Sequence, residues 1–299
     1  MKQITKRTNK KAAFTIVELL TVMSIIIILI GLLVPALNMV KQYARRVRQK
    51  AQFHSIDVAM ELFNNEWDGY PPSEESAYKV PPEPAYCGAL KLCEAMVGQD
   101  LMGFHPDSHF LSDCEDGLGN PIYATPTNGF DPATDDPENL KVRKTYLQLE
   151  NVHAYRLWNI YGSDCDPFEK DLFVLCDVYN RVRNVDTGKK IGMPILYYKA
   201  NTSNTLHDPN GTLPTTDDDN DYIYNYLDNH ELVQLDIPWD TGGAQHPMFT
   251  DPEIFYEMTR NKKVQVESGR PNRADSYILI SAGFDGEYGT RDDIFNFGD

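Results

Sequence analysis

From residue 14 to residue 40 the chain holds one charged side chain, Glu18, and the 22 residues of 19–40 are uncharged. Within that run Ile25-Ile26-Ile27-Ile28-Leu29-Ile30 would place bulky aliphatics on every face of a helix. Buried helices of soluble proteins are normally apolar on one stripe only. At 1.5 Å per residue, 22 residues span about 33 Å, enough to cross a hydrocarbon core of about 30 Å. The pattern therefore predicts a membrane-embedded helix. Pro35 falls inside it, where the missing backbone donor tends to kink the rod. Beyond Val40 the pattern turns amphipathic, with Ala44, Val47, Ala51, Val58 and Leu62 recurring at helical spacing. The helix is expected over 14–66, stopping before Gly69-Tyr70-Pro71-Pro72, with its second half packed under a head formed by 67–299.

In that head, 172–178, 195–198 and 277–281 read as strands, and 143–161, with Tyr146, Leu149, Val152, Leu157 and Ile160, is read as including a further helix. Polar stretches rich in Asp, Asn, Pro and Gly, such as 125–139 and 201–221, read as loops. The 41% of hydrophobic residues, with 17 Tyr and 13 Phe, suffices for a sizeable core, and 19 Gly and 19 Pro imply short elements. The expected class is α+β: a long N-terminal helix packed on a small antiparallel sheet with loop-rich insertions.

Charge divides the chain. Residues 1–13 carry Lys2, Lys6, Arg7, Lys10 and Lys11 and no acid, so the rest carries −21 of the net −16. A head this acidic would be repelled by phosphate backbones, which argues against nucleic-acid binding. Lys41, Arg45, Arg46, Arg48 and Lys50 put an equal +5 beyond the apolar run, so the positive-inside rule does not orient the helix. The apolar run exceeds that of an ordinary secretory signal, and no A-x-A site follows it.

Cys87, Cys93, Cys114, Cys165 and Cys176 form no CxxC pair, which disfavours a zinc ribbon or thioredoxin-like site. One or two disulfides, with Cys165–Cys176 the closest pair in the second half, or five small buried residues both remain open. No G-x-S-x-G, H-E-x-x-H or P-loop is present. His105 and His109 are the only close histidines, and Pro106 between them favours a loop. No enzyme is expected. In Asp217-Asp218-Asp219 with Asp221, a solvated loop outweighs a cation site.

The segment Ala12-Ala13-Phe14-Thr15-Ile16-Val17-Glu18-Leu19-Leu20 resembles the prepilin peptidase junction of type IV pilins and type II secretion pseudopilins. The resemblance implies a leader over 1–13, cytoplasmic cleavage between Ala13 and Phe14, and methylation of the new Phe14 amine. It also implies an inner-membrane, single-pass chain with its head in the periplasm or outside the cell. Ala13 stands where the family usually has Gly, and a small residue is retained. Pro35 matches the family's helix proline. An ionised group in a bilayer costs about 2.5–3.5 kcal/mol on the lenient scale. Glu18 therefore needs a partner, and the Phe14 amine of a neighbouring subunit in a filament would supply one.

Two head segments extend the likeness. Met60-Glu61-Leu62-Phe63-Asn64-Asn65-Glu66-Trp67-Asp68-Gly69-Tyr70-Pro71-Pro72-Ser73 resembles the helix exit of major pseudopilins, and 116–123 resembles the segment entering their first strand, with Leu118 replacing a Trp. Residues 281–294, Ser-Ala-Gly-Phe-Asp-Gly-Glu-Tyr-Gly-Thr-Arg-Asp-Asp-Ile, resemble their C-terminal loop, which binds calcium. By that resemblance Asp285, Thr290, Asp292 and Asp293 are the candidate Ca²⁺ residues. Physically, a strand feeding a Gly-rich loop gathers carboxylates and carbonyls, the hard oxygens that calcium prefers. The spacing is not that of an EF-hand.

The expected function is a structural subunit of a type II secretion pseudopilus or pilus-like filament. Its expected partners are copies of itself, the membrane, a prepilin peptidase, an assembly ATPase and a platform membrane protein. The alternative is a membrane-anchored, pilin-like binding module whose enlarged head captures a ligand.

Overall fold

The computed structural model describes residues 15–74, 84–148, 152–207, 221–240, 242–264 and 269–298. The chain falls into two compact units, Met1–Ala44 and Arg45–Asp299. One helix, α1 (Ile16–Trp67), runs through both. In the first unit every described residue is exposed. Its most apolar 18-residue window has a mean hydropathy of 2.8, and the helix is long and apolar enough to span a membrane. Pro35 sits inside α1 without ending it. The helix ends where Asp68 takes a positive φ of 53°, just before Gly69 and Pro71.

In the second unit α1 buries Gln49, Gln52, Phe53, Ile56, Ala59, Met60 and Phe63. This corrects the stripe expected from sequence, since Ala44, Val47, Ala51, Val58 and Leu62 are all exposed. The helix has two apolar stripes, and the one carrying the larger aromatic and long-chain residues is buried because it removes more apolar area from water. Phe63 packs edge-on against Phe104 and Tyr146, both at ring separations of 5.2 Å.

The remaining elements are α2 (Gly88–Val97), α3 (Pro137–Val142), β1 (Ala154–Arg156), α4 (Leu157–Tyr161), β2 (Phe173–Leu175), β3 (Val182–Arg183), β4 (Lys190–Ile191) and β5 (Leu196–Lys199). A 3-10 turn (Tyr226–Asn229), α5 (His230–Gln234), α6 (Pro247–Thr250), α7 (Glu253–Thr259), β6 (Tyr277–Ser281) and β7 (Ile294–Phe295) follow. Strands β5-β6-β7 form an antiparallel sheet, with Tyr197 opposite Leu279 and Ser281 opposite Ile294. Two-stranded antiparallel pairs β1-β2 and β3-β4 stand beside it. The α+β expectation is therefore borne out.

Both faces of the three-stranded sheet are covered. Tyr197, Tyr277 and Leu279 join the α1 and α2 side chains in one core, while Tyr198, Ile278 and Ile280 join Tyr224, Phe255 and Tyr288 in another. Alternate residues of a strand point to opposite faces, which is why β6 reads as an unbroken apolar run.

One sequence expectation fails here and another narrows. Residues 116–123, likened to a segment entering a first strand, lead into no named strand before β1. Asp116 Oδ1 accepts from the backbone N–H groups of Leu118 and Asn120, making an Asx-type turn that leaves Leu118 88% exposed. The helix expected within 143–161 is present as α4, preceded by β1. The backbone N–H groups of Tyr146 and Leu147 instead donate to Met96 O at the end of α2.

Glu94 on α2 is buried and accepts from Tyr86 Oη at 2.5 Å and from Ser108 Oγ. Burial pushes its carboxyl up to about 7. Between the ordinary carboxylate range and pH 7 the folded state holds a proton that the unfolded chain has lost. Stability should therefore fall as pH rises through that window. Thermal melting from pH 5 to pH 8 should show this decline, and Glu94→Gln should reduce its slope. Asp177, also raised to about 7 by burial, supplies a residual slope of the same sign. A Glu94→Gln slope equal to the wild type would remove Glu94 from the account.

Candidate functional site

Glu18 lies in the first turn of α1. Its Oε2 accepts from the Thr15 backbone N–H at 2.9 Å and from Thr15 Oγ1 at 2.8 Å, and Glu18 N–H donates to Thr15 Oγ1 at 3.2 Å. This reciprocal pair is a capping box at a helix N-terminus, where the helix dipole also favours an anion. Sequence reasoning missed it, although Thr15-Ile16-Val17-Glu18 carries its T-x-x-E signature. One copy of the chain thus satisfies Glu18 through hydrogen bonds, while its charge remains without a cation among the described residues. The 1–13 leader, Ala13 included, and Phe14 after it lie outside the described residues, as do Asp217, Asp218 and Asp219.

The aspartates of 281–294 lie in the connection between β6 and β7. Gly283 has a φ of 67°, and a Cβ there would lie 2.1 Å from the Asp292 carbonyl oxygen. Only glycine allows this turn and this approach together. The loop folds Asp285 back onto Asp292: Asp285 N–H donates to Asp292 Oδ2 at 2.9 Å, and Thr290 Oγ1 donates to Asp292 Oδ1 at 2.8 Å. Asp293 turns inward. It is 8% exposed, and its Oδ2 accepts from Gly289 N–H at 2.8 Å while Oδ1 has no partner.

Partial burial and the adjoining Asp292 carboxylate raise Asp285 to about 6. Burial opposes ionisation of Asp292 as well, but hydrogen bonds from Asp285 and Thr290 hold it below the usual carboxylate range. Burial pushes Asp293 well above that range. Two carboxylates in contact are the condition that a hard divalent cation relieves. Among the described residues no group of three or more His, Cys, Asp or Glu side chains converges on one point. Asp285 and Asp292 would therefore provide the charged donors, and loop carbonyls would have to complete a shell of about six to eight oxygens. Asp293, with one oxygen engaged by Gly289, shapes the loop from inside.

All five cysteines are buried and free. Burial pushes the Cys87 thiol up to about 11 and those of Cys93, Cys114 and Cys176 higher, so they pack as neutral thiols. His105 sits in a loop, as expected, where its Nδ1 accepts from Asp107 N–H at 3.2 Å. Comparison of the chain with protein-family models, with curated proteins and with solved structures finds no match.

Proposed function

We propose that this chain is a structural subunit of a pilin-like filament, of the type II secretion pseudopilus class. The observation that carries the reading is α1. It is one helix, apolar on every face over 19–40 and exposed throughout its described first unit, that begins at the Thr15–Glu18 box beside a Phe14 junction resembling a prepilin processing site. A soluble head does not require such an element. A membrane-stored subunit that later packs its helix against those of other copies does.

In this reading a prepilin peptidase removes residues 1–13 and the Phe14 amine is methylated. An assembly ATPase and a platform protein then supply the work of extraction, while this chain contributes packing surface and catalyses nothing. The resident state is single-pass in the inner membrane with the head outside the cytoplasm. The Asp285–Asp292 pair holds Ca²⁺, whose charge would stabilise the loop between β6 and β7.

Intact-mass measurement of membrane fractions from cells with a competent peptidase tests the processing step. The expected product lacks residues 1–13 and carries one extra methyl group. A mature chain still beginning at Met1 would count decisively against the assignment.

A second reading, an anchored binding module, is favoured by one feature of the head. A cleft of about 510 Å³ is lined by His105, Asp107, Asp116, Phe130, Asp136 and Asn139. Electron microscopy after co-expression with the assembly machinery separates the two, since filaments support the first reading and their absence supports the second.

A further inference from the structure

The buried face of α1 is apolar except at Gln49 and Gln52, and the two reach opposite ends of one three-residue segment of the head, 176–178. Gln52 Nε2 donates to Cys176 O at 2.9 Å, and Val178 N–H donates to Gln49 Oε1 at 3.0 Å. The other amide atoms, Gln49 Nε2 and Gln52 Oε1, are buried without partners. A buried amide half satisfied adds little net stability. What it supplies is direction: apolar packing alone would let the helix slide or rotate, whereas two hydrogen bonds to one backbone segment set its register.

Between the two gripped residues sits Asp177, fully buried. Its Oδ1 accepts from the N–H groups of Tyr179 and Met193, and its Oδ2 accepts from Ser281 Oγ at 2.9 Å. Gly192 makes this possible, because a Cβ there would lie 2.0 Å from Asp177 O. Ser281 is the last residue of β6, stands opposite Ile294, and so occupies the neck of the aspartate loop. Its Oγ also accepts from Gly283 N–H at 3.3 Å, and Gly283 is the residue packed against the Asp292 carbonyl.

A continuous path thus runs from Gln49 and Gln52, through the backbone of 176–178 and the Asp177 carboxylate, to Ser281 and Gly283 by hydrogen bonds, and on to Asp292 by the close packing of Gly283 against its carbonyl. Each buried member is costly to leave unpaired, so the path resists piecemeal distortion. We infer that Asp177 is a positioning residue coupling the aspartate loop to α1, so that a divalent cation held at Asp285 and Asp292 tightens the grip of the head on residues 49–63 of the helix. This rests on the reading of the loop as a cation site. Linkage makes the effect reciprocal: whatever tightens the helix also raises cation affinity.

Hydrogen exchange of the full chain in detergent micelles, with millimolar calcium or with EGTA, tests the coupling alongside a calorimetric calcium titration. In the wild type, calcium should slow exchange of the 49–63 amides about tenfold. Ser281→Ala should still bind calcium and lose that slowing. Gln49→Leu, at the opposite end of the path, should weaken calcium binding about tenfold although it touches no loop residue, which a merely structural role would not do. Should Ser281→Ala fail to fold, the Gln49→Leu titration decides. If calcium binds the wild type and the 49–63 amides do not respond, the coupling is overturned and the cation reading stands. If calcium does not bind at all, both are overturned. Slowing that persists undiminished in Ser281→Ala would remove Asp177 and Ser281 from the path.

Discussion

Replacing Glu18 with alanine is expected to leave membrane insertion intact and to abolish filament assembly. Glu18 is the only charge between residues 14 and 40, and holding it ionised in a bilayer costs about 2.5–3.5 kcal/mol. Insertion should therefore be unharmed or eased. The capping box complicates this, because Glu18→Ala also removes the acceptor for Thr15 N–H, which costs about 0.5–2 kcal/mol locally. Glu18→Gln separates the two roles. Its amide oxygen can still accept from Thr15, but it carries no charge to pair with a neighbouring subunit's amine. If charge drives assembly, both variants partition into membranes and neither gives filaments by electron microscopy. If Glu18→Gln assembles at the wild-type rate, Glu18 is a helix cap and its intersubunit role is wrong.

Millimolar calcium is expected to raise the thermal stability of the chain by about 2.7 kcal/mol once free calcium exceeds Kd a hundredfold. For a unit of this size that is a shift of roughly 5–10 °C. The variant that isolates the effect is Asp285→Asn. It ends the Asp285–Asp292 repulsion, so in EGTA at pH 7 it should melt above the wild type, and it should lose the calcium shift. Asp292→Ala and Asp293→Ala are less clean, since they strip acceptors from Asp285 N–H and Gly289 N–H. The pH dependence has a definite sign. Asp285 is raised to about 6, so in EGTA its contribution to stability is lost as pH rises from the ordinary carboxylate range through 6. Calcium requires the deprotonated form, so the calcium shift should shrink as pH falls from 7 to 5. Equal melting temperatures in EGTA, calcium and magnesium would reduce 281–294 to an acidic turn. The helix would then support only a generic pilin-like protein. The protein for this test is the full chain, because Phe53, Ile56, Met60 and Phe63 belong to the head's core and a fragment starting at 67 would lack them.

What could be read without coordinates was whatever depends on local pattern. The apolar run of α1, its end near Trp67, the strands around 173–175, 196–199 and 277–281, and the α+β class follow from periodicity and from turn residues such as Gly69-Tyr70-Pro71. Competing local signals misled. The 116–123 segment has an Asp whose side chain captures the backbone of its own turn, and within 143–161 the helical spacing gives only α4, because Tyr146 and Leu147 N–H donate to the carbonyl of Met96 at the end of α2. The Thr15–Glu18 box is legible in the letters as T-x-x-E, and its two hydrogen bonds serve the helix end whatever partner the charge takes.

By itself, then, the sequence determined that the chain carries one helix apolar enough for a membrane, an acidic head and a C-terminal run of clustered aspartates. These are matters of composition and of spacing along a single strand of residues. Which stripe of α1 is buried was decided only in three dimensions, because Val47, Val58 and Leu62 are as apolar as the residues that won. The stripe with Phe53, Met60 and Phe63 removes more apolar area from water once α2 and β6 side chains are there to receive it. The same holds for Asp177 and Ser281, 104 residues apart, whose contact no spacing rule encodes. It also holds for Asp293, which turns inward while its neighbour Asp292 faces Asp285, because one glycine N–H at 289 captures its carboxylate.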